Sequence, residues 1–196
     1  MRWIVVDGID GSGKSTIAHW IADRYEGMGK VEVVHHPSER WYGRISRKAL
    51  QSEGKAMHTV AAVFYIIDVL MSVGRIRKDR KEDKTLIFVR YLMGTAYLPE
   101  SLMHAGYDFF CKMLPVPKAM LLVDIDPEVA MSRLSSRQDA HEMFEDADNL
   151  RKYRRKVLAL TNDDWKVLDN SGSEESSRRQ LDSIMADWEA KKLIDF

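Results

Sequence analysis

The sequence predicts a three-layer α/β fold, in which a parallel sheet of about five strands carries helices on both of its faces. Two observations lead to this prediction. Short runs rich in valine, isoleucine and leucine alternate with longer, more polar segments, and parallel strands need such long connections. A glycine-rich loop at residues 8–16 follows the first apolar run, and the ligands of parallel sheets bind at the carboxyl ends of the strands.

The predicted strands share a short length and an apolar character, as expected of strands that are buried on both faces. They are Trp3–Val6, Val31–His35, Thr85–Val89, Ala119–Ile125 and Trp165–Leu168.

The segments between the strands are predicted to be helices. The long segment His58–Ile76 is apolar over most of its circumference, more than one core-facing side requires. Pro127 is predicted at the first position of a helix. Proline is suited to this position, because an N–H there would have no partner within the helix. The other predicted helices are Ser15–Glu26, Tyr42–Ser52, Leu98–Met113, Glu128–Ser135, a helix that ends near Leu160, and Ser176–Lys192.

Length and composition predict a single domain over residues 1–196. Lys plus Arg and Asp plus Glu number 30 each, so the net charge gives no indication of a nucleic-acid or membrane partner. Cys111 is the only cysteine, which excludes an intrachain disulfide framework. No leader-like segment precedes the first strand, and no apolar run reaches the roughly 18 residues of a membrane span. We therefore expect a soluble, cytoplasmic protein.

Residues 8–16 read G-I-D-G-S-G-K-S-T, and we interpret them as a phosphate-binding loop (P-loop). The glycines let the backbone aim several N–H groups at one anion. Lys14 supplies a point charge for the β- and γ-phosphates, and the Ser15 hydroxyl is placed to ligate Mg²⁺. The N-terminus of the following helix adds partial positive charge. The loop residues predicted to bind ATP are Gly8, Ile9, Asp10, Gly11, Ser12, Gly13, Lys14, Ser15 and Thr16.

The rest of the sequence narrows the class of P-loop protein. No N-K-x-D motif for guanine is present, and a chain of 196 residues is too short to include the lid domain of larger ATPases. These observations favour a small kinase that transfers the γ-phosphate of ATP to a second small molecule.

Several segments between Arg2 and about Leu160 resemble the thymidylate kinase family. The segment V-D-G-I-D-G-S-G-K-S-T resembles the opening of these kinases. The segment P-K-A-M-L-L-V-D-I-D-P-E-V-A-M-S-R, residues 117–133, resembles their P-D-x-x-x-x-L-D-x-x-P-E-x-A-x-x-R. Weaker matches are Arg90–Tyr91 with Thr95–Tyr97 (family D-R-Y-x-x-S-x-x-A-Y), Arg137 with Glu142–Glu145 (family R…E-x-F-E), and Pro37 and Gly43 in the loop after the second strand.

The resemblance implies transfer of the γ-phosphate of ATP to dTMP, with Mg²⁺, in a homodimer that serves nucleotide biosynthesis. It implies catalytic roles for Lys14, Asp10 and Arg90, and for Arg137 in a lid segment of about residues 134–149. For the acceptor it implies Arg90, Tyr97 and Tyr65, the last stacked on the base. The broad apolar surface of the long helix would then line the acceptor pocket on one side and the subunit interface on the other.

The roles of individual charged residues have alternatives. Arg133 competes with the lid arginine for the position over the transferring phosphoryl group. Asp10 either orients the acceptor or a metal-bound water, or forms a local Asx turn that shapes the loop. Arg90 either faces the phosphates or forms a salt bridge to Asp124 or Asp126. The five basic residues between positions 151 and 156 form either a nucleic-acid patch or, as the acidic residues before them favour, a solvated helix near the phosphates.

Three positions on the acceptor side depart from the family pattern. Val69 stands where the family has an arginine, Val89 where it has an aspartate, and Leu98 where it has a glutamine. Two functions therefore remain: a nucleoside monophosphate kinase with dTMP as acceptor, and a divergent P-loop ATP-binding protein with another acceptor or a regulatory role.

Overall fold

Five parallel strands form one sheet in the computed structural model, which describes residues 1–50, 64–74, 76, 83–136 and 147–195. The order of the strands in the sheet is β2-β3-β1-β4-β5. The strands are β1 Arg2–Asp7, β2 Lys30–His35, β3 Lys84–Val89, β4 Ala119–Asp124 and β5 Trp165–Asp169. The predicted α/β fold is confirmed, and each strand lies within one or two residues of its predicted bounds.

The helices follow the strands in the expected alternation. We number them α1 Lys14–Arg24, α2 Trp41–Leu50, α3 64–74, α4 Glu100–Met113, α5 Pro127–Ser135, α6 Ala147–Leu160 and α7 Glu174–Ala190. Pro127 begins α5 as predicted, after an Asp126 side chain that accepts the N–H of Glu128 at 3.0 Å. Residues 51–63 and 137–146, with parts of two predicted helices and most of the predicted lid, lie outside the described residues.

The region before α4 differs from the prediction. A helix was expected from Leu98, but α4 begins at Glu100 because Pro99 is its N-cap and has an extended ψ of 146°. A separate 3₁₀-helix, Met93–Tyr97, precedes it, with Leu98 as its C-cap. This short helix matters for the site, since only residues 90–92 separate it from the carboxyl end of β3.

Alternate side chains of the central strand β1 build the two halves of the core. Trp3 and Val5 point to the face that packs against α3, α4, α5 and α6. Ile4 and Val6 point to the opposite face, which packs against α1 and α7. Burial of apolar surface on both faces explains why the strand sequences are nearly continuous apolar runs.

The order of the sheet reverses at β1, and this positions the P-loop. Val6 pairs with Val89 of β3 on one side and with Leu121 of β4 on the other. The loop that follows β1 therefore emerges between the carboxyl ends of two neighbouring strands, where crevices of open α/β sheets form. Among the helices that the structure describes, none has the combined length and apolarity required to span a membrane.

Candidate active site

The backbone of residues 8–16 makes a tight turn between β1 and α1. The N–H of Ser12 donates to the carbonyl of Ile9 at 3.2 Å, and the carbonyl of Gly13 accepts the first helical bond from Ile17 at 3.0 Å. Gly13 has a φ of 84°, and a Cβ there would lie 2.5 Å from the side-chain nitrogen of Asn170. Glycine is required at this position both by the left-handed backbone and by the close approach of Asn170.

The charged side chains of the loop meet at Asp10. The Nζ of Lys14 donates to Asp10 Oδ1 at 3.3 Å and to the carbonyl of Ile9 at 2.9 Å. The guanidinium of Arg90 donates to the same carboxylate oxygen, and the hydroxyl of Tyr97 lies 3.5 Å from the other oxygen. One carboxylate thus holds two cations at the carboxyl ends of β1 and β3.

This arrangement shifts the pKa values of its members. Burial acts to raise the pKa of Asp10, but the charges of Arg90 and Lys14 outweigh it and lower the pKa from 3.8 to about 2. Burial and then the charge of Arg90 lower the pKa of Lys14 from 10.5 to about 8, although Asp10 acts in the opposite direction. At neutral pH the site therefore contains an ionised carboxylate and two cations.

The contacts of Asp10 and Arg90 decide between the alternatives for these two residues. Arg90 pairs with Asp10 and therefore faces the P-loop. Asp124 binds Arg154 instead, at 2.7 and 2.8 Å, and Asp126 caps α5, so the contacts do not support the alternative of a salt bridge from Arg90 to Asp124 or Asp126. The bonds of the Asp10 carboxylate among the described residues run to other side chains, and the Asx-turn alternative receives no support.

Two tyrosines of the predicted acceptor site also lie near Arg90. Tyr97 packs against Tyr153 with ring centroids 3.9 Å apart, and it points its hydroxyl at Asp10. Tyr65, on α3, is partly buried, and its hydroxyl donates to the carbonyl of Arg90 at 3.0 Å. The structure thus brings both predicted acceptor residues beside the predicted catalytic arginine.

Of the two competing arginines, Arg137 lies outside the described residues, whereas Arg133 lies beside the P-loop. The Arg133 guanidinium donates to the backbone carbonyl of Asn170 at 2.9 Å. Its other terminal nitrogen is 3.6 Å from the position that a Cβ on Gly13 would occupy. Arg133 is therefore placed next to the N-terminus of α1, where phosphates bind.

Two site residues were missed by the sequence analysis. Asp7 is buried at the end of β1, and its carboxylate accepts backbone N–H groups from the turn after Arg90. Asn170 is buried just after β5, and its amide donates to the carbonyl of Ser12 at 2.7 Å. Both are polar residues at the carboxyl end of an apolar strand, and this position was the available signal.

Burial raises the pKa of Asp7 above its ordinary value, and the backbone N–H groups that it accepts act in the opposite direction.

The three residues that depart from the family pattern, Val69, Val89 and Leu98, pack against apolar parts of the fold. Val69 and Val89 are both buried in the core, so neither position presents a side chain to the P-loop. Leu98 packs its Cδ1 against α4, 2.6 Å from where a Cβ on Gly106 would stand.

The basic residues at 151–156 differ from one another in their exposure to solvent. Arg151 pairs with Glu128 and Asp148, and Arg154 pairs with Asp124. Lys156 is buried and donates to the carbonyls that end the 3₁₀-helix, those of Ala96 and Leu98. Arg151, Lys152 and Arg155 are exposed, as a solvated helix predicts. Arg154 is half-buried, and the expectation of a solvated side chain is wrong for Lys156.

Comparisons with known proteins identify the family of this chain. The family model of thymidylate kinase matches residues 6–181. A thymidylate kinase of Xanthomonas campestris pv. campestris is 28% identical over 202 residues, covering 93% of this chain and 82% of that protein. A probable thymidylate kinase of Pyrobaculum calidifontis is 30% identical over 159 residues, covering 80% of each. The structure of thymidylate kinase from Candida albicans shares the fold, with a TM-score of 0.75, 18% identity, and coverage of 97% of this chain and 92% of that one.

A P-loop at the switch point of a parallel sheet, with a lysine and an arginine converging on it, defines a P-loop phosphotransferase. The family model covers most of the sequence. The chain belongs to the thymidylate kinase family, and it is accordingly an ATP-dependent nucleoside monophosphate kinase.

Proposed function

We propose that this kinase transfers the γ-phosphoryl group of ATP to dTMP and yields ADP and dTDP. The observation that carries the proposal is the pairing of Lys14 and Arg90 on one carboxylate, Asp10, at the mouth of the P-loop. Membership of the thymidylate kinase family supports dTMP as the acceptor and does not favour a P-loop protein without kinase activity.

In this mechanism the two cations leave Asp10 for phosphate oxygens. Lys14 moves from Ile9 and Asp10 to the β- and γ-phosphates of ATP. Arg90 moves to the phosphate group of the acceptor, dTMP. An oxygen of the acceptor phosphate attacks the γ-phosphorus while the bond from that phosphorus to the β–γ bridging oxygen breaks. Such a transfer depends mainly on positioning and on neutralisation of charge, which is the chemistry that this cluster supplies.

The residues at the start of α1 fit a magnesium ion bound together with ATP. Ser15 is exposed in the first turn of α1, and Asp10, with a pKa of about 2, keeps its negative charge nearby. Hydroxyl, carboxylate and phosphate oxygens are the ligands that Mg²⁺ prefers. We assign Ser15 as the protein ligand, and the ion neutralises charge on the β- and γ-phosphates when it is bound.

An arginine from the last turn of α5 or from the lid segment that follows it completes the mechanism. Arg137 in the proposed lid, about residues 134–149, is our first candidate, and the position of Arg133 beside Gly13 supports it as the competitor. A residue that acts only on the transition state lowers kcat more than it raises KM. We expect Arg137→Ala to lose roughly 10³-fold in kcat and to retain ATP binding. The same pattern in Arg133→Ala, with an active Arg137→Ala, would transfer the role to Arg133.

The test of the function is an assay of ADP release with a panel of nucleoside monophosphates. We expect release with dTMP that depends on Mg²⁺ and that Lys14→Ala abolishes, with an unchanged circular dichroism spectrum. Lys30→Ala is the matched control, because Lys30 is exposed at the amino end of β2, away from the loop. Absence of ADP release with every monophosphate, or equal release by Lys14→Ala, would overturn the proposal.

The proposal extends to assembly and location. One kinase domain spans residues 1–196, acts in the cytoplasm and forms a homodimer. The apolar residues on the outer side of α3 support the dimer, since they remain exposed while Val69 and Val73 of the same helix are buried. These exposed residues are Ile66, Ile67, Leu70 and Met71.

A further inference from the structure

Arg90 has an unusual backbone conformation for a residue with a long side chain. Its φ is 61°, in the left-handed region that non-glycine residues seldom adopt. Its N–H donates to the carbonyl of Val6 at 3.1 Å, which extends the ladder between β1 and β3. Such a conformation persists only where neighbouring groups hold it, and it is found preferentially at functional sites.

Two buried polar groups hold the turn that Arg90 begins. The Oδ2 of Asp7 accepts three successive backbone N–H groups at 3.0–3.3 Å. These belong to Tyr91, Leu92 and Met93. On the other side of the peptide chain, the hydroxyl of Tyr65 donates to the carbonyl of Arg90 at 3.0 Å and lies 3.4 Å from the carbonyl of Tyr91.

Gly94 makes room for the Tyr65 ring. A Cβ on Gly94 would stand 2.7 Å from Cε1 and from the hydroxyl oxygen of Tyr65, and 2.8 Å from Cζ. Any larger residue at position 94 would therefore displace the ring edge that carries the hydroxyl. A phenylalanine at position 65 would fill the same space without the hydrogen bond.

We infer that the Tyr65 hydroxyl is a positioning group for catalysis, which acts through Arg90 by fixing the left-handed turn that aims the guanidinium at the P-loop. This inference rests on the proposed kinase function and gives Tyr65 a role besides contact with the base. Asp7 holds the following turn from the other side, and Gly94 allows the tyrosine to approach.

The first test is the kinetics of Tyr65→Phe. Loss of this hydrogen bond lowers kcat about tenfold, because Arg90 samples other orientations. The KM for ATP stays the same, since Lys14 and the loop backbone do not contact Tyr65. Tyr107→Phe is the matched control: Tyr107 is a buried phenol that accepts a bond from Trp165 at 2.8 Å rather than donating to the carbonyl of Arg90. A rise in KM for dTMP with an unchanged kcat would assign Tyr65 to base contact alone and overturn the inference.

A double-mutant cycle tests whether Tyr65 acts through Arg90. In an Arg90→Ala background, Tyr65→Phe should change kcat by less than about twofold, because the group that it positions is gone. An unreduced tenfold effect in that background would show that the hydroxyl acts independently and would refute the inference.

A substitution at Gly94 tests the position of the Tyr65 hydroxyl by a second variant. Gly94→Ala should lower kcat as Tyr65→Phe does, whereas Gly74→Ala should not, because Gly74 is an exposed glycine of α3 with nothing within 4 Å of an added Cβ. Full activity of Gly94→Ala would contradict the proposed packing.

Amide hydrogen exchange tests the contact between Tyr65 and Arg90 independently of kinase activity. Tyr65→Phe should accelerate exchange at the three amides bound by Asp7, and Tyr107→Phe should leave them unchanged. Wild-type protein that releases no ADP with any monophosphate would refute the proposed function, while unaltered exchange in Tyr65→Phe would refute the contact on which the inference rests.

Discussion

The Asp10 carboxylate holds Lys14 and Arg90 where the phosphates of the two substrates are expected to bind. Without a counter-charge, a buried lysine and a half-buried arginine so close together would repel each other and lose hydration. Asp10 therefore supplies the negative charge that pairs both cations, a role that the phosphates of the substrates can take over. The lowered pKa of Lys14, about 8, shows that this compensation is only partial.

The pKa of Lys14 predicts how ATP binding depends on pH. Below about pH 8 the ammonium is charged and ready for the phosphates, whereas above it the neutral amine must first take up a proton. We expect the Kd of ATP to rise as pH increases through 8, by at most about tenfold per unit. Isothermal titration calorimetry in buffers of different ionisation enthalpy measures both the Kd and the proton uptake.

Asp10 and Lys14 variants provide the controls for this dependence. Because the charge of Asp10 raises the pKa of Lys14, Asp10→Asn should move the midpoint below pH 8. Lys14→Met should bind ATP weakly with no midpoint near 8. A wild-type Kd that stays constant between pH 7 and 9.5 would show that Lys14 is not the titrating group.

At the scale of the elements, Asn170 connects the end of the sheet to the P-loop. Its side-chain nitrogen donates to the carbonyl of Ser12, and its side-chain oxygen accepts the hydroxyl of Ser177 on α7, both at 2.7 Å. Its backbone carbonyl accepts Arg133. One buried amide thus links β5, α7, α5 and the turn that precedes Lys14.

We expect Asn170→Ala to lower the free energy of unfolding by about 1–3 kcal/mol, because the buried Ser12 carbonyl and Ser177 hydroxyl lose their partner. The KM for ATP should rise as well, since the loop backbone is no longer held. Asn170→Asp is the sharper comparison: it retains an acceptor for Ser177 but cannot donate to Ser12. Urea denaturation measures the stability, and an Asn170→Asp protein as stable as wild type would show that the Ser12 bond is unimportant.

Local patterns predicted the elements well and their mutual contacts poorly. The strands were predictable because burial on both faces leaves continuous apolar runs. The start of α4 was not, since a 3₁₀-helix and Pro99 interrupt the helical pattern. Arg90 and Asp10 were each singled out, but their pairing spans 80 positions and depends on β1 and β3 being neighbours. Asp7 and Asn170 were missed for the same reason, because their partners come from other strands or loops.

At the scale of the whole molecule, the outer side of α3 predicts how two copies associate. Ile66, Ile67, Leu70 and Met71 are 36–53% exposed on one helix whose other side is buried. Such a contiguous apolar surface is typical of an interaction site. We expect the wild-type protein to sediment as a dimer and Leu70→Glu as a monomer, because a carboxylate in an apolar interface loses its hydration.

The control for the dimer prediction lies on another helix. Met113, on α4, is 64% exposed, and Met113→Glu should leave the dimer intact. Monomeric wild-type protein would contradict the proposed assembly, and dissociation by Met113→Glu but not by Leu70→Glu would place the interface on α4.

The acceptor site has lost polar groups that the family pattern includes, and the fold shows no simple replacement for them at those positions. Val69 is fully buried in the core and has no group that could bind a phosphate. A charge-assisted contact from an arginine is worth about 1.5–3 kcal/mol, so we expect its loss to lower the affinity for the acceptor roughly ten- to a hundredfold. Leu98 packs against Gly106 of α4 and offers no hydrogen bond to a pyrimidine edge.

Strong rejection of a wrong base requires polar groups that the wrong base leaves unpaired, whereas a single methyl group provides only about 1–3 kcal/mol of discrimination. We therefore expect weak binding of dTMP and a blurred preference for dTMP over dUMP, at most the roughly 10–200-fold that one methyl group provides. Titration of each monophosphate in the presence of a non-hydrolysable ATP analogue measures both quantities. Tight binding with sharp selectivity for dTMP would mean that residues elsewhere on the acceptor side replace the lost contacts. In that case Arg90, held in its left-handed turn by Tyr65, is the described residue best placed to compensate for the phosphate contact, and Arg90→Lys should then abolish the tight binding.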